Sequence, residues 1–499
     1  MILLYNPPSS AQRKPILPCS LLALGALLEG RHDYAIVDAN LLGLPALPGD
    51  TVELLDRRIR QTDAAILAVT VMPGPQLQDA VPVCTELKRR HPTLTIIWGG
   101  YFPSQHSQTV LKSDFVDYVL RGHSERAFVA LLDALADGAT KQQIREIRGV
   151  CDRDDAGQPQ DGGMPALPKP AELPAWPHHR VNIADYLRPT FLGSRTIGHH
   201  SSYGCPFFCG FCAVVNMVNG AWVPDEADRV AATVRMLVEQ HGANAIEFYD
   251  NNFFVSEKRV RHFAEQITDL NISWWGEGRI DTMWKFSDET WQAMADSGLR
   301  MVFLGAESGS DETLARMNKG GKQTVAQTLQ MAEKMGHYGI VPEYSFVLGN
   351  PPNPEADVQS TMAFVRKVKE VNPDTEVILY MYTPVPLDGT LFEDAKQSGF
   401  AFPETLDGWV SDDWQNFAQR RSTGLPWLGY PVQQRLQDFE RVLNAYHPTS
   451  TLTHLTPIRR KVLRAVSAWR YRSGFHRWPF ELRALHKVLR YRRPETSGF

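Results

Sequence analysis

Cysteine is scarce in this chain: six residues in 499, of which Cys19, Cys84 and Cys151 stand alone. So scattered a set cannot form a disulfide framework and suits a reducing compartment. Long apolar runs are missing too, and none approaches the ~20 residues that cross a bilayer. The opening Met1-Ile2-Leu3-Leu4-Tyr5-Asn6-Pro7-Pro8 lacks a basic segment and a small-residue cleavage site, so the cytoplasm is the expected location. What remains is ordinary globular composition, 43% apolar and 22% charged, with length for two or three domains that each bury a core.

The net charge of -4 conceals an asymmetry. From Thr451 to Phe499 twelve Lys and Arg face two Glu, a local balance of +10 that leaves -14 for the rest. Such a basic end is a contact surface for something anionic.

The other three cysteines are concentrated. Ser202-Tyr203-Gly204-Cys205-Pro206-Phe207-Phe208-Cys209-Gly210-Phe211-Cys212 spaces them as C-x3-C-x2-C, with no further cysteine within fifty residues. Thiolates are the usual ligands of iron–sulfur clusters, and three of them leave one iron of a four-iron cluster open to a substrate. A structural zinc site is the competing reading; it wants four closed ligands, and His199 or His200 could supply the fourth.

This spacing, with an aromatic residue before the last cysteine, resembles the motif of the radical S-adenosylmethionine (SAM) enzymes. The resemblance implies a 4Fe-4S cluster whose open iron binds SAM, and one-electron cleavage of SAM to a 5′-deoxyadenosyl radical. It also implies an external one-electron donor of the flavodoxin or ferredoxin type.

Upstream, short apolar runs alternate with helix-length segments. Strands are expected at Ile2 to Asn6, Tyr34 to Ala39, Ala64 to Val71, Leu94 to Trp98 and Asp117 to Leu120. Helices are expected at Ile16 to Glu29, Val52 to Arg60, Gln76 to Arg90 and Ser124 to Ala136. This alternation predicts a doubly wound, Rossmann-like parallel sheet with its ligand at the strand carboxyl ends. There, Thr70-Val71-Met72 is followed after 26 residues by Gly99-Gly100, which resembles two parts of a cobalamin-binding pattern. Arg121-Gly122-His123-Ser124-Glu125 is similar to the Gly-Glu-Gly-Glu turn of that branch, with His123 replacing a Glu. Thr70, Gly99, Gly100, Gly122 and Ser124 are therefore the expected cobalamin contacts. The Asp-x-His-x-x-Gly part is absent, so no histidine from that motif would ligate cobalt.

A Pro- and Gly-rich stretch then precedes a second alternation, with strands at Arg195 to Ser202, Ala245 to Tyr249, Ser273 to Gly276, Met301 to Leu304, Glu343 to Leu348 and Val377 to Tyr382. Six strand–helix units fit a partial (βα)6 barrel, again with the site at the strand carboxyl ends. Asp250-Asn251-Asn252, Gly276-Glu277-Gly278-Arg279, Gly305-Ala306-Glu307-Ser308-Gly309, Gly349-Asn350-Pro351-Pro352 and Thr383-Pro384-Val385-Pro386 occupy those ends, in the order of the family's turns. The resemblance implies SAM contacts from Asp250, Glu277, Arg279, Glu307 and Ser308, and cluster ligation by Cys205, Cys209 and Cys212. A capping turn at Asn251 and Asn252 and a surface ion pair at Arg279 are the plain alternatives.

The chain is thus divided into a cobalamin-binding domain (1–145), a linker (146–190), a radical SAM barrel (191–400) and a helical, basic end (401–499). Trp409, Trp414, Trp427, Leu425 and Tyr430 read as buried helix packing, with a substrate mouth as the alternative. From Pro457 an amphipathic helix is expected with Val462, Val466 and Trp469 opposed to Arg460, Arg464 and Arg470, and a second follows at Phe480 to Leu489. Packing on the barrel is preferred over peripheral membrane contact, because Pro479, Glu481 and His486 interrupt a lipid-binding face. The overall resemblance is to cobalamin-dependent radical SAM enzymes. It implies a methyltransferase acting on an unactivated carbon of a small-molecule or lipid substrate, with no nucleic acid as partner. A cyclase or rearrangement enzyme and a non-enzymatic metal-binding protein are the alternatives.

Overall fold

The computed structural model describes residues 1–9, 15–42, 48–319, 323–418 and 426–491. The first sheet has seven strands: β1 (Ile2–Asn6), β2 (Tyr34–Asp38), β3 (Ile66–Thr70), β4 (Thr95–Gly99), β5 (Tyr118–Leu120), β6 (Val150–Arg153) and β7 (Pro159–Gln160). Their order is β2-β1-β3-β4-β5-β6-β7, parallel through β5 and antiparallel beyond. Successive side chains of a strand point to opposite faces. Leu3, Tyr5, Val69 and Trp98 therefore enter one core, and Ile2, Leu4, Ala68 and Ile97 the other. The sheet runs on past residue 145, so β6 and β7 lie within the stretch expected to be a linker.

The second sheet has six parallel strands: β8 (Thr196–His199), β11 (Ala245–Phe248), β12 (Ser273–Gly278), β13 (Leu299–Glu307), β14 (Val341–Leu348) and β15 (Glu376–Met381), in the order β15-β14-β13-β12-β11-β8. Between β8 and β11 a two-stranded antiparallel pair, β9 (Ser202–Gly204) and β10 (Trp222–Pro224), closes the cysteine loop at its base. Ile246, Trp274, Leu304 and Phe346 face outward into the helix-covered core. By the same alternation Glu247, Trp275, Glu277, Phe303 and Glu343 face the barrel interior. Three carboxyl groups on an inward face are not what core packing selects, and they mark this interior as a binding space.

The C-terminal hundred residues hold both sheets. Trp409 packs edge-on to Phe102 of the first domain at 5.0 Å and stacks on Phe402 at 5.6 Å. Trp427 donates its indole N–H to the Gly349 carbonyl at 2.9 Å. Trp409, Trp414 and Trp427 are thus packing, as preferred, whereas Tyr430 is exposed and Leu425 lies outside the described residues. Helix Tyr430–Tyr446 lies on helix Pro354–Val371 of the barrel, and helices Pro457–Ser473 and Phe480–Leu489 cover it. Among the described residues no helix is long and apolar enough to cross a membrane.

Candidate functional site

The cysteine loop leaves β9 at Gly204, whose φ of 80° is open to glycine, and runs over the mouth of the barrel. Its backbone is fastened from several directions. Gly210 N–H donates to the Met317 carbonyl at 2.8 Å, Asn318 Nδ2 to the Phe208 carbonyl at 2.9 Å, and Gln105 Nε2 to the Ala213 carbonyl at 2.9 Å. Phe211 packs beside Met317 and Tyr382, which anchors the aromatic of the motif in apolar surroundings. Cys205, Cys209 and Cys212 are all free thiols. Burial pushes the Cys212 thiol up to about 12 and raises that of Cys205. Such thiols stay protonated near neutrality, and a metal must displace the protons.

Arg279, at the end of β12, is buried against the loop. Its guanidinium lies 3.8 Å from the centre of the Phe207 ring and donates from Nη1 to Cys209 Sγ at 3.1 Å. Its other donors go to Asp281 Oδ1 (3.0 Å) and Oδ2 (2.9 Å) and to the Lys319 carbonyl (2.5 Å). This differs from the sequence expectation of a fork on the SAM carboxylate. The arginine is committed to its neighbours and holds Cys209 in place in the loop.

Asp250 and Ser308 are likewise committed. Asp250 accepts from the Ser201 N–H at 3.0 Å, the Ser201 hydroxyl at 2.9 Å and the Ser202 hydroxyl, so it braces the strand that delivers the cysteines. Ser308 donates to Asp357 Oδ1 at 2.9 Å, tying the β13 turn to helix Pro354–Val371. Neither presents an open polar atom toward the barrel mouth as expected.

Glu307 is committed as well, whereas Glu277 is not. Glu307 sits at φ 63°, a left-handed conformation costly for a side-chain-bearing residue, where the β13–β14 register shifts. It pairs with Lys319 Nζ, which also donates to the Gly305 carbonyl at 2.6 Å. A Cβ at Gly305 would overlap both Glu307 Oε1 and Lys319 Nζ, so a larger residue there would displace the pair. Gly320 of the same turn lies outside the described residues. Glu277 projects into the barrel without a hydrogen-bond partner among the described residues. Burial, then the neighbouring Glu343 and Asp250, pushes its carboxyl up to about 8. A carboxyl so placed gains from any cation brought beside it.

The sequence named no role for Glu343 and left Asn252 between a SAM-binding turn and a capping turn. Asn252 is fully buried, with its amide set against the Cys205 thiol. The signal was available in the alternation of β14 and in an amide placed behind a strand end. His199 and His200 do not close a zinc site. His199 packs edge-on to Trp176 at 5.0 Å and to Phe248 at 6.1 Å. Among the described residues no three His, Cys, Asp or Glu side chains converge as one ion requires. A four-iron cluster needs no such convergence, since each thiolate binds its own iron.

The second part of the site is a cavity of about 210 Å³ between the two sheets. All five expected cobalamin contacts, Thr70, Gly99, Gly100, Gly122 and Ser124, line it. Opposite them stand His200, Tyr203 and Met217 from the cysteine-loop side. Gly100 has φ 97° and ψ -166°, and a Cβ there would lie 3.0 Å from Val71 N and 3.1 Å from Thr70 Oγ1. Backbone and hydroxyl thus approach each other in a space that only glycine leaves open. His123 lies against the Tyr203 ring, with centroids 4.3 Å apart, and burial lowers its pKa to about 3, so it is neutral.

Residues 200–365 match the radical SAM superfamily, and residues 15–132 match the B12 binding domain. The chain is a cobalamin-dependent radical SAM enzyme. Its cofactors are accordingly a 4Fe-4S cluster, SAM and cobalamin. An uncharacterized methyltransferase of Pyrococcus horikoshii is 25% identical over 375 residues, 74% of this chain and 78% of that protein. The anaerobic magnesium-protoporphyrin IX monomethyl ester cyclase of Synechocystis is 25% identical over 345 residues, 64% of each. Among solved structures, the radical SAM methyltransferase TsrM of Kitasatospora setae, with cobalamin and a 4Fe-4S cluster bound, superposes with a TM-score of 0.64. It is 17% identical, and the match covers 80% of this chain and 75% of that one.

The radical SAM domain fits its cluster on the loop's three free thiols, the arginine beside Cys209 and the buried amide beside Cys205. In the B12 domain, Gly99, Gly100 and Gly122 open the strand ends onto this cavity, so the backbone there is bare enough for a bulky ligand's edge to approach it.

Proposed function

We propose that this enzyme is a methyltransferase acting on an unactivated carbon of a small-molecule or lipid substrate. The observation that supports this reading most is the shared cavity. The strand ends of the first sheet and the β9 end of the cysteine loop face one another across it, so a substrate carbon held between them meets one cofactor on each side. When bound, the cluster and SAM supply a hydrogen-abstracting radical and cobalamin supplies a methyl group.

The chain's own residues hold and orient. Cys205, Cys209 and Cys212 ligate the cluster, and Arg279 and Asn252 position that loop. Glu277 receives the positively charged methionyl part of SAM, and the Glu307–Lys319 pair shapes the next strand end. Thr70, Gly99, Gly100, Gly122 and Ser124 admit cobalamin. An external one-electron donor of the flavodoxin or ferredoxin type reduces the cluster. The relationship to the Synechocystis cyclase supports a second reading, ring formation without methyl transfer.

Product mass after anaerobic turnover separates the two. A gain of one methyl supports transfer, and loss of hydrogen or gain of oxygen supports cyclisation.

A further inference from the structure

Thirteen large apolar side chains are exposed on the described surface, and seven of them lie between residues 458 and 488. On helix Pro457–Ser473, Ile458, Val462, Ala465 and Trp469 recur at helical spacing and form one outward stripe. The packed face of that helix is a different one, made by Leu463, Ser467, Arg470 and Tyr471. This corrects the sequence expectation, which set Val462 and Trp469 toward the barrel and Arg470 toward water. On helix Phe480–Leu489, Phe480, Ala484 and Val488 make a second exposed stripe. Trp469 and Phe475 stack with centroids 6.0 Å apart, carrying the first stripe into the turn between the helices.

The three residues that break this face in the sequence are turned inward. Pro479 is buried, Glu481 accepts from Arg470 Nη2 at 3.0 Å, and His486 lies edge-on to Tyr491 at 5.2 Å. Glu481 is also the only carboxylate side chain between Pro457 and Tyr491, against ten Lys and Arg. Of these, Lys461, Arg477, Lys487 and Arg490 are exposed and have no ion pair among the described residues.

Exposed aromatics bordered by unpaired cations match a layer that is apolar inside and anionic at its surface. We propose that these two helices dock the enzyme on an anionic membrane surface. Trp469, Trp478 and Phe480 enter the headgroup layer, and the basic side chains meet lipid phosphates.

The test is sedimentation of the full chain with phosphatidylcholine vesicles, with and without phosphatidylglycerol. Binding is expected to the phosphatidylglycerol vesicles and to fall as salt rises. Lys461→Glu with Lys487→Glu, and separately Trp469→Ser with Phe480→Ser, are each expected to weaken it roughly tenfold. Circular dichroism and SAM cleavage in solution should stay as in the parent. Absence of binding at low salt overturns the proposal, as does equal binding to both vesicle types that is indifferent to salt and to the charge reversals. A dimer that Trp469→Ser with Phe480→Ser dissociates, in protein that does not bind vesicles, also overturns it and assigns the face to a second copy.

Discussion

Arg279 shows what a residue letter leaves unsaid. Its presence at a strand end was legible, and a role in SAM binding was a fair expectation, but its partners lie 70 residues upstream at Cys209 and 40 downstream at Lys319. The same holds for Asp250 with Ser201 and Ser308 with Asp357, because satisfaction of a buried polar group is a property of the folded chain. Breaking a buried ion pair by removing one partner costs about 3–5 kcal/mol. Arg279→Ala should therefore lower stability by about 3 kcal/mol and reduce retained iron, measured by denaturant unfolding and iron assay. Arg279→Lys should restore part of both. Iron retention equal to the parent in Arg279→Ala would remove the arginine from loop positioning.

Glu277 gives a pH-dependent outcome at the same scale. Its folded carboxyl titrates near 8 instead of near 4.5, so between those values the folded state holds a proton that the unfolded state has lost. Stability therefore falls as pH rises through that window. Glu277→Gln should remove this loss and make the cofactor-free protein more stable than the parent by roughly 2–5 kcal/mol at pH 9, with little difference at pH 5. SAM affinity should drop in the same variant. Equal stability of the two at pH 9 would show that the carboxyl is not held neutral.

At the scale of elements, alternation and strand ends were read well. β1 and helix Phe480–Leu489 fall where periodicity put them, and the five residues expected to contact cobalamin line one cavity. Helix Pro457–Ser473 failed differently. Its sequence carries two apolar stripes, and the choice between them depends on Arg470 finding Glu481 eleven residues away, which periodicity cannot register. The strand-end glycines allow a sharp test. Gly100 occupies a region open almost only to glycine, so Gly100→Ala should cost about 1–3 kcal/mol and abolish hydroxocobalamin uptake. Thr70→Ala, which adds no atoms, should weaken uptake and leave stability within about 0.5 kcal/mol. Full uptake by Gly100→Ala would dissociate this turn from the cavity's ligand.

For the whole molecule, the arrangement that matters is the facing of two sheets across one cavity, tied by Trp409 against Phe102 and by Gln105 against the cysteine loop. No motif announces that facing, because it is set by the C-terminal segments whose periodicity is weakest. The sequence lacks the histidine motif of cobalt ligation, and His123, although on the cavity wall, lies against the Tyr203 ring. Electron paramagnetic resonance of the cob(II)alamin-loaded protein should thus show no superhyperfine coupling to a protein nitrogen. A pattern that vanishes in His123→Ala or His200→Ala would contradict this.

The radical chemistry requires an iron left open by three cysteines and a carboxyl ready for SAM's charge. Anaerobically reconstituted, dithionite-reduced protein should give a 4Fe-4S electron paramagnetic resonance signal that shifts when SAM is added and is lost in Cys205→Ala, Cys209→Ala or Cys212→Ala. A metal centre that is indifferent to SAM, or one retained unchanged in any of the three variants, would contradict the account.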